Sequence, residues 1–257
     1  MAKDLFAPAK ITEDPDTTKQ VYEKLRAYMA GQKQRDPANI HASDLVYPRK
    51  AYWQRVCPKP PTDDEVSYWL TGLSHHYFMV YAQTGIDDTQ EESLYDADLD
   101  VWYSPDLNTT NGEFKTSRTW RIPEGPREAA DTFQWYFKQC LVYAVAKNVT
   151  EWKLYVLFLT PPPRSLDNRK VPVLKVYTLH YTKKQLAEAR QTLKQEVAAL
   201  KAALAAQLPD SLPLCGAGVC FKDVGQGRGK PKRRVPLCKW WHECKPEGRY
   251  EDQTAVS

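Results

Sequence analysis

A chain of 257 residues makes one domain with additions or two small ones, and is long enough to bury a real core. Apolar residues at 42% and aromatic residues at 12% are ordinary for a globular protein, and a net charge of +4 does not by itself imply nucleic acid. No apolar run approaches a membrane span, and the opening Met1-Ala-Lys-Asp-Leu-Phe6 lacks the apolar core of a signal peptide, so the expectation is a soluble cytoplasmic protein with no membrane partner.

Residues 1–15 read as a loose lead-in. Thr17 or Thr18 can cap a helix running to about Gly31, with Val21, Leu25, Tyr28 and Met29 on one face. In the stretch from Ile40 to Arg55, Ser43 suits an N-cap and Pro48 suits the first position of a further helical turn. Arg49, Lys50 and Arg55 interleave there with Tyr52 and Trp53, a pattern open to a phosphate contact or to a solvated helix face. Asp64 to Gln83 reads as a helix with Val66, Trp69, Leu70, Leu73, Tyr77 and Val80 on its apolar side. Gly72 and His76, four apart, share one face.

Leu94 to Tyr103 reads as a strand whose period of two puts Asp96, Asp98 and Asp100 on one face. Ser104-Pro-Asp-Leu-Asn-Thr-Thr-Asn111 supplies turn residues, and a second short strand follows at Gly112–Ser117. Glu113 and Lys115 must point the same way. If the two strands pair, one face carries Asp98 or Asp100 with Glu113 and Lys115, which is either a solvated hairpin face or a pair of hard oxygen donors for Mg²⁺ or Mn²⁺ beside an ammonium.

Arg127 to Lys147 reads as one long helix with Phe133, Phe137, Cys140, Leu141 and Ala144 as its core stripe. Gln139 and Tyr143 stack along another face. Trp152 to Thr160 is a continuous apolar run, as in a strand covered on both faces, and Pro172 marks Val171 to His180 as an edge strand. Thr182-Lys-Lys-Gln185 matches a capping box that opens a helix to about Gln207, with Leu186, Leu193, Val197, Leu200 and Leu204 buried.

Past a Pro-bearing boundary at Leu208–Leu214, Cys215-x₄-Cys220 and Cys238-x₅-Cys244 bracket a basic loop containing Lys222, Arg228, Lys230, Lys232, Arg233 and Arg234. Four cysteines on a segment with little core of its own suggest a metal or cluster staple. Staple and loop together would form a firm electropositive lip for single-stranded DNA, with Trp240 or Trp241 to stack bases; the alternative is a mobile, solvated insertion. The expected divisions are an N-terminal helical segment (1–63), a core (64–207), a cysteine segment (208–246) and a disordered tail (247–257). There is no Walker A loop, GxGxxG or nucleophile elbow, which argues against nucleotide hydrolysis, dinucleotide redox and acyl transfer.

In order, Gly72-x₃-His76, Asp100, Glu113-x-Lys115, Gln139-x₃-Tyr143 and the cysteines resemble the RecB-like branch of the PD-(D/E)XK nuclease superfamily, above all the iron–sulfur exonucleases of CRISPR adaptation and AddB-type nuclease domains. The resemblance implies an α/β, restriction-endonuclease-like core with a mixed central sheet flanked by helices, plus a cysteine-stapled C-terminal segment. It implies that His76, Asp100, Glu113 and the Phe114 carbonyl hold Mg²⁺ or Mn²⁺, that Lys115 orients or deprotonates the attacking water, and that Gln139 and Tyr143 position DNA. Asp98 is the fallback ligand. The family's upstream cluster cysteine falls at Tyr47 here, so Cys215, Cys220, Cys238 and Cys244 would hold a [4Fe–4S] cluster among themselves, with Cys57 as a substitute and Zn²⁺ as the alternative. The implied activity is a metal-dependent exonuclease on single-stranded DNA ends, in concert with a recombinase, integrase or helicase. The rivals are a catalytically silent DNA-binding or assembly protein and a zinc-stapled interaction module.

Overall fold

The apolar run after the long helix forms the middle strand of a sheet. The computed structural model describes residues 15–31, 36–84, 93–118, 122–159, 172–213, 215, 221–224, 233–236, 238–240 and 244. In it β4 (Glu151–Phe158) lies between β3 (Gly112–Ser117), which is parallel to it, and β5 (Val173–His180), which is antiparallel. The fold is mixed α/β, a mixed three-stranded sheet flanked by helices. Trp152, Leu154, Val156 and Phe158 are buried on one face, while Lys153, Tyr155 and Leu157 opposite are half-buried. The run is therefore not sealed equally on both sides. One face carries the main core, and among the described residues the other meets a small cluster of Val80, Leu107 and Phe114 with Met79 and Tyr155. β5 is an edge strand, as Pro172 suggests, and leaves Leu174 and Val176 exposed.

The buried face is covered by α6 (Gln134–Lys147), which also packs on α7 (Lys183–Ala206). The expected single helix from Arg127 is broken. α5 (Pro126–Thr132) ends at Phe133, where φ −116° and ψ 24° leave the helical region. The bend lets the buried Phe133 ring stack on Tyr136 and reach Phe158 and Tyr177. Asn148, in the left-handed conformation, closes α6 by donating to the Ala144 and Val145 carbonyls. α7 opens on the expected capping box: Thr182 Oγ1 accepts from the Gln185 N–H at 3.1 Å, and Gln185 Oε1 accepts from the Thr182 N–H at 2.8 Å. Its stripe of Leu186, Leu193, Val197 and Leu200 is buried.

α2 (Ala42–Val46) and α3 (Pro48–Val56) bring Leu45, Ala51 and Tyr52 into the same core. The cap of α2 is His41 rather than Ser43, because Asp44 reaches back to the His41 N–H at 2.7 Å. Leu94 to Tyr103 is a tight hairpin instead of one strand: β1 (Leu94–Asp96) pairs antiparallel with β2 (Val101–Tyr103). Asp96 Oδ1 accepts the Asp98 and Leu99 N–H groups, each at 3.0 Å, and Asp100 takes the left-handed conformation that finishes the turn. β6 (Phe221–Val224) and β7 (Arg233–Pro236) pair antiparallel at the two ends of the expected basic loop, whose residues 225–232 lie outside the described residues.

The chain divides into two compact units. One comprises residues 1–35 and 60–71. It contains α1 (Pro15–Gly31) and the start of α4 (Asp63–Thr84), with Tyr22 bonded to Ser67 and Tyr28 against Trp69. The other comprises residues 36–59 and 72–257, so α2 and α3 belong with the sheet. The expected tail, 247–257, lies outside the described residues. Among the described residues no helix is long and apolar enough to cross a membrane.

Candidate active site

β3 turns one edge of its backbone to β4 and leaves the other open. The Asn111 and Ser117 carbonyls accept from Lys153 and Leu159, so the alternation of a strand directs the N–H and C=O of Gly112, Phe114 and Thr116 to the open edge. There Gly112 exchanges two hydrogen bonds of 3.0 Å with Leu107, Asp106 Oδ2 accepts the Phe114 N–H at 2.6 Å, and the Thr116 carbonyl accepts from Tyr136 at 3.3 Å. The segment before β3 thus folds back along it, and Asp106 is laced to the strand that carries Glu113 and Lys115. Gly112 permits this closure. A Cβ there would lie 3.0 Å from Leu107 Cδ1 and 3.1 Å from Tyr155 Cε2.

Glu113 and Lys115 share the face of β3 that α6 covers, level with Leu154 and Val156 of β4. Glu113 is only 1% exposed. Its Oε1 accepts from the Lys115 ammonium and from Gln139 Nε2 at 3.0 Å, and its Oε2 accepts from the Asp106 N–H at 3.3 Å. Burial and then the Asp106 carboxylate push the Glu113 carboxyl above the ordinary carboxylate range; Lys115 opposes them. Burial alone would lower the Lys115 ammonium, but the Glu113 and Asp106 carboxylates outweigh it and raise the group. His76 Nδ1 stands 3.4 Å from Asp106 Oδ1. Gln139 donates to the Tyr143 hydroxyl at 2.6 Å, and that hydroxyl donates to the Ser104 carbonyl at 3.4 Å.

The structure therefore brings Glu113, Lys115, Gln139 and Tyr143 together, with His76 beside their neighbour Asp106. It does not bring Asp100 to them. The Asp100 side chain is 52% exposed and is bonded to Lys201 and Tyr95, which hold its carboxyl low. The fallback Asp98 is held by Lys194 at 2.5 Å and Arg190 at 2.9 Å. The physical reason is the hairpin: its turn carries both aspartates out to α7, and β2 does not pair with β3. Asp106 stands where Asp100 was expected. Its signal was present as Pro105-Asp106, an acid after proline a short loop ahead of Glu113-Phe-Lys115, and the turn chemistry around it hid it.

Arg49, expected at a phosphate, is turned into the protein instead. It is 3% exposed and donates to the Leu212 carbonyl at 3.1 Å and the Pro209 carbonyl at 2.7 Å. It also bonds the Cys244 thiol, which burial pushes up. Cys238 neighbours Cys244, and Cys215 is buried near Tyr47. The Trp240 indole N–H is spent on the Cys57 carbonyl at 2.7 Å, so this ring is core, not a stacking surface. Cys220, Arg228, Lys230, Lys232 and Trp241 lie outside the described residues. For Lys222, Arg233 and Arg234 the strand register alone is described, with Lys222 opposite Val235 and Asp223 opposite Arg234. Among the described residues no three His, Cys, Asp or Glu side chains converge closely enough to enclose an ion as they stand.

No family model and no curated protein matches the sequence. Among solved structures the chain is similar to the phage-related exonuclease from Haemophilus somnus 129PT, at 9% identity and a TM-score of 0.40, over 66% of this chain and 96% of that one. It is similar also to the alkaline exonuclease LHK-Exo from Laribacter hongkongensis, at 16% identity and a TM-score of 0.40, over 72% of this chain and 95% of that one.

Proposed function

We propose that the chain is a metal-dependent deoxyribonuclease of the PD-(D/E)XK kind, with Pro105-Asp106, Glu113 and Lys115 as its signature. The observation that carries this is the buried Glu113 carboxylate, set beside Asp106 and met by both Lys115 and Gln139. A buried carboxyl that burial and a neighbouring carboxylate keep from ionising is stabilised in its charged form by a divalent cation. Asp106 and Glu113 are hard oxygen donors, the Phe114 carbonyl faces the same edge, and His76 adjoins Asp106, donor types that suit Mg²⁺ or Mn²⁺ once an ion draws them together. Such an ion, when bound, polarises the scissile phosphate and acidifies water. The chain's own groups do the rest. Lys115, whose ammonium the Glu113 and Asp106 carboxylates favour, orients a water and stabilises the negative charge that grows on the phosphoryl oxygens. Gln139 fixes the Glu113 carboxylate, and Tyr143 fixes Gln139.

The preferred substrate in this proposal is the end of single-stranded DNA, supplied by a recombinase, integrase or helicase, with the basic residues from Lys222 to Arg234 as the backbone track. A [4Fe–4S] cluster, or Zn²⁺, on Cys215, Cys220, Cys238 and Cys244 would staple the C-terminal segment and take no part in hydrolysis. Support for it is the thiol count alone, and the described thiols do not gather in a group of three. The test is Mn²⁺-dependent degradation of end-labelled single strands by the purified protein. Lys115→Ala should abolish it and Asp106→Asn should lower it by about 10²–10⁴-fold, each with the fold retained; a variant that cuts like the parent overturns the assignment.

A further inference from the structure

Three residues of α6 at four-residue spacing, Gln139, Tyr143 and Lys147, lie along one side of the helix. Each reaches the acid-bearing segment. Gln139 holds Glu113, Tyr143 holds the Ser104 carbonyl, and Lys147 Nζ donates to both oxygens of Asn108: its backbone carbonyl, and its side-chain Oδ1 at 2.9 Å. Asp106 sits midway between residues 104 and 108. A lysine in the last turn of a helix is favoured by the helix dipole, which accounts for a basic residue at 147 and not for its reach. The reach is directed: Lys147 Nζ lies 5.9 Å from the centre of the Trp152 ring, a side chain fully buried in the core, so the ammonium is braced on a rigid base.

The loop that Lys147 grips is closed at its neck. Leu107 and Gly112 exchange N–H···O bonds in both directions, and Asn111 is left-handed to make the turn. Asp106 is the residue just outside that neck. A loop fixed at its neck still pivots about it unless it is held beyond the neck, and Asn108, the first residue inside it, is where Lys147 takes hold.

We propose that Lys147 is a positioning residue, which fixes the Asn108 side of the loop and so keeps Asp106 beside Glu113 for the cation they share. This rests on the assignment of Asp106 and Glu113 as cation ligands. The hook itself is tested without a cation.

Two measurements on the full chain decide it. The first is amide exchange over residues 104–112 in metal-free protein, and the second is calorimetric titration with Mn²⁺. Lys147→Met should speed exchange at the Leu107 and Gly112 amides and weaken Mn²⁺ binding by about ten- to a hundredfold, the usual effect of removing a residue that orients a ligand. Lys147→Arg, which keeps a cation with several donors, should recover part of both. Asn108→Ala loses one of the two acceptors and should give a smaller change. The double variant Lys147→Met/Asn108→Ala should be no worse than Lys147→Met, because both act through one contact. If Lys147→Met fails to fold, Asn108→Ala carries the same comparison. Parental exchange and parental Mn²⁺ affinity in Lys147→Met overturn the proposal. If the parent takes up no Mn²⁺, the cation assignment falls and exchange alone judges the hook: faster exchange in Lys147→Met upholds it, and unchanged exchange removes it.

Discussion

Asp106 Oδ2 accepts the Phe114 N–H at 2.6 Å, so the acid is bonded to the backbone between Glu113 and Lys115. A carboxylate tied in this way moves with the strand. The two acids and the ammonium therefore form one unit, whose spacing is set by β-sheet geometry more than by side-chain rotamers.

Asp106→Asn and Asp100→Asn separate this site from the hairpin turn. Asp106→Asn removes one of two charges that would hold the cation and should lower Mn²⁺-dependent cleavage by about 10²–10⁴-fold, the equivalent of several kcal/mol of transition-state stabilisation. Asp100 is exposed and paired with Lys201, so Asp100→Asn should keep activity within about twofold. Rates of strand cleavage at saturating metal check both, and the reverse order would return the site to the turn.

The raised Glu113 carboxyl makes metal-free stability depend on pH. Its folded value lies above its unfolded one, so the native state holds the extra proton. The stability this contributes is fully present below the unfolded value and is lost as pH rises toward the folded one. Metal-free protein should therefore weaken between about pH 5 and pH 8, and Mn²⁺ should remove most of that slope by taking the proton's place. Urea midpoints across this range check it. Glu113→Gln should flatten the metal-free curve, and an unchanged slope would assign the effect to another group.

Gly112→Ala places a methyl group 3.0 Å from Leu107 Cδ1, 3.1 Å from Tyr155 Cε2 and 3.2 Å from Leu107 Cβ. Tyr155 is in the sheet and Leu107 is bonded to Gly112 on both sides, so neither retreats freely. Overpacking of this kind costs about 1–3 kcal/mol. A lower melting temperature with weaker Mn²⁺ binding is expected, and full retention of both would show that the neck of the loop can open without loss.

Arg49→Met should act on stability and leave DNA binding alone. The buried guanidinium satisfies the Leu212 and Pro209 carbonyls, and hydrogen bonds from a charged donor contribute about 1.5–3 kcal/mol each. Urea unfolding should report a loss of at least about that size for one such bond. Single-strand binding per folded molecule should match the parent; a selective loss of binding would restore Arg49 as a phosphate contact.

Local signals were reliable where a single element decides the outcome. The capping box at Thr182, the stripe of α7, the edge position of β5 and the span of β3 follow from spacing, cap chemistry and proline, all of which act within a few residues. So does the shared face of Glu113 and Lys115, and the shared side of Gln139 and Tyr143, because strand and helix periods place them there whatever the neighbours are. The residues from 94 to 103 alternate like a strand, yet Asp96 captures two N–H groups of its own turn and folds the segment into a hairpin.

By itself the sequence determined the pieces of the site: an acid and a lysine two apart on a strand, and a glutamine and a tyrosine four apart on a helix. Which second acid joins them was decided only by tertiary structure. Asp98, Asp100 and Asp106 are equivalent in charge and close in sequence, and what separates them is pairing over long range. β3 binds β4 rather than β2, the segment around Leu107 folds onto the free edge of β3, and Lys194 and Lys201 of α7 draw the other two aspartates away. Those contacts join residues up to 101 positions apart, and no periodicity along the chain encodes them.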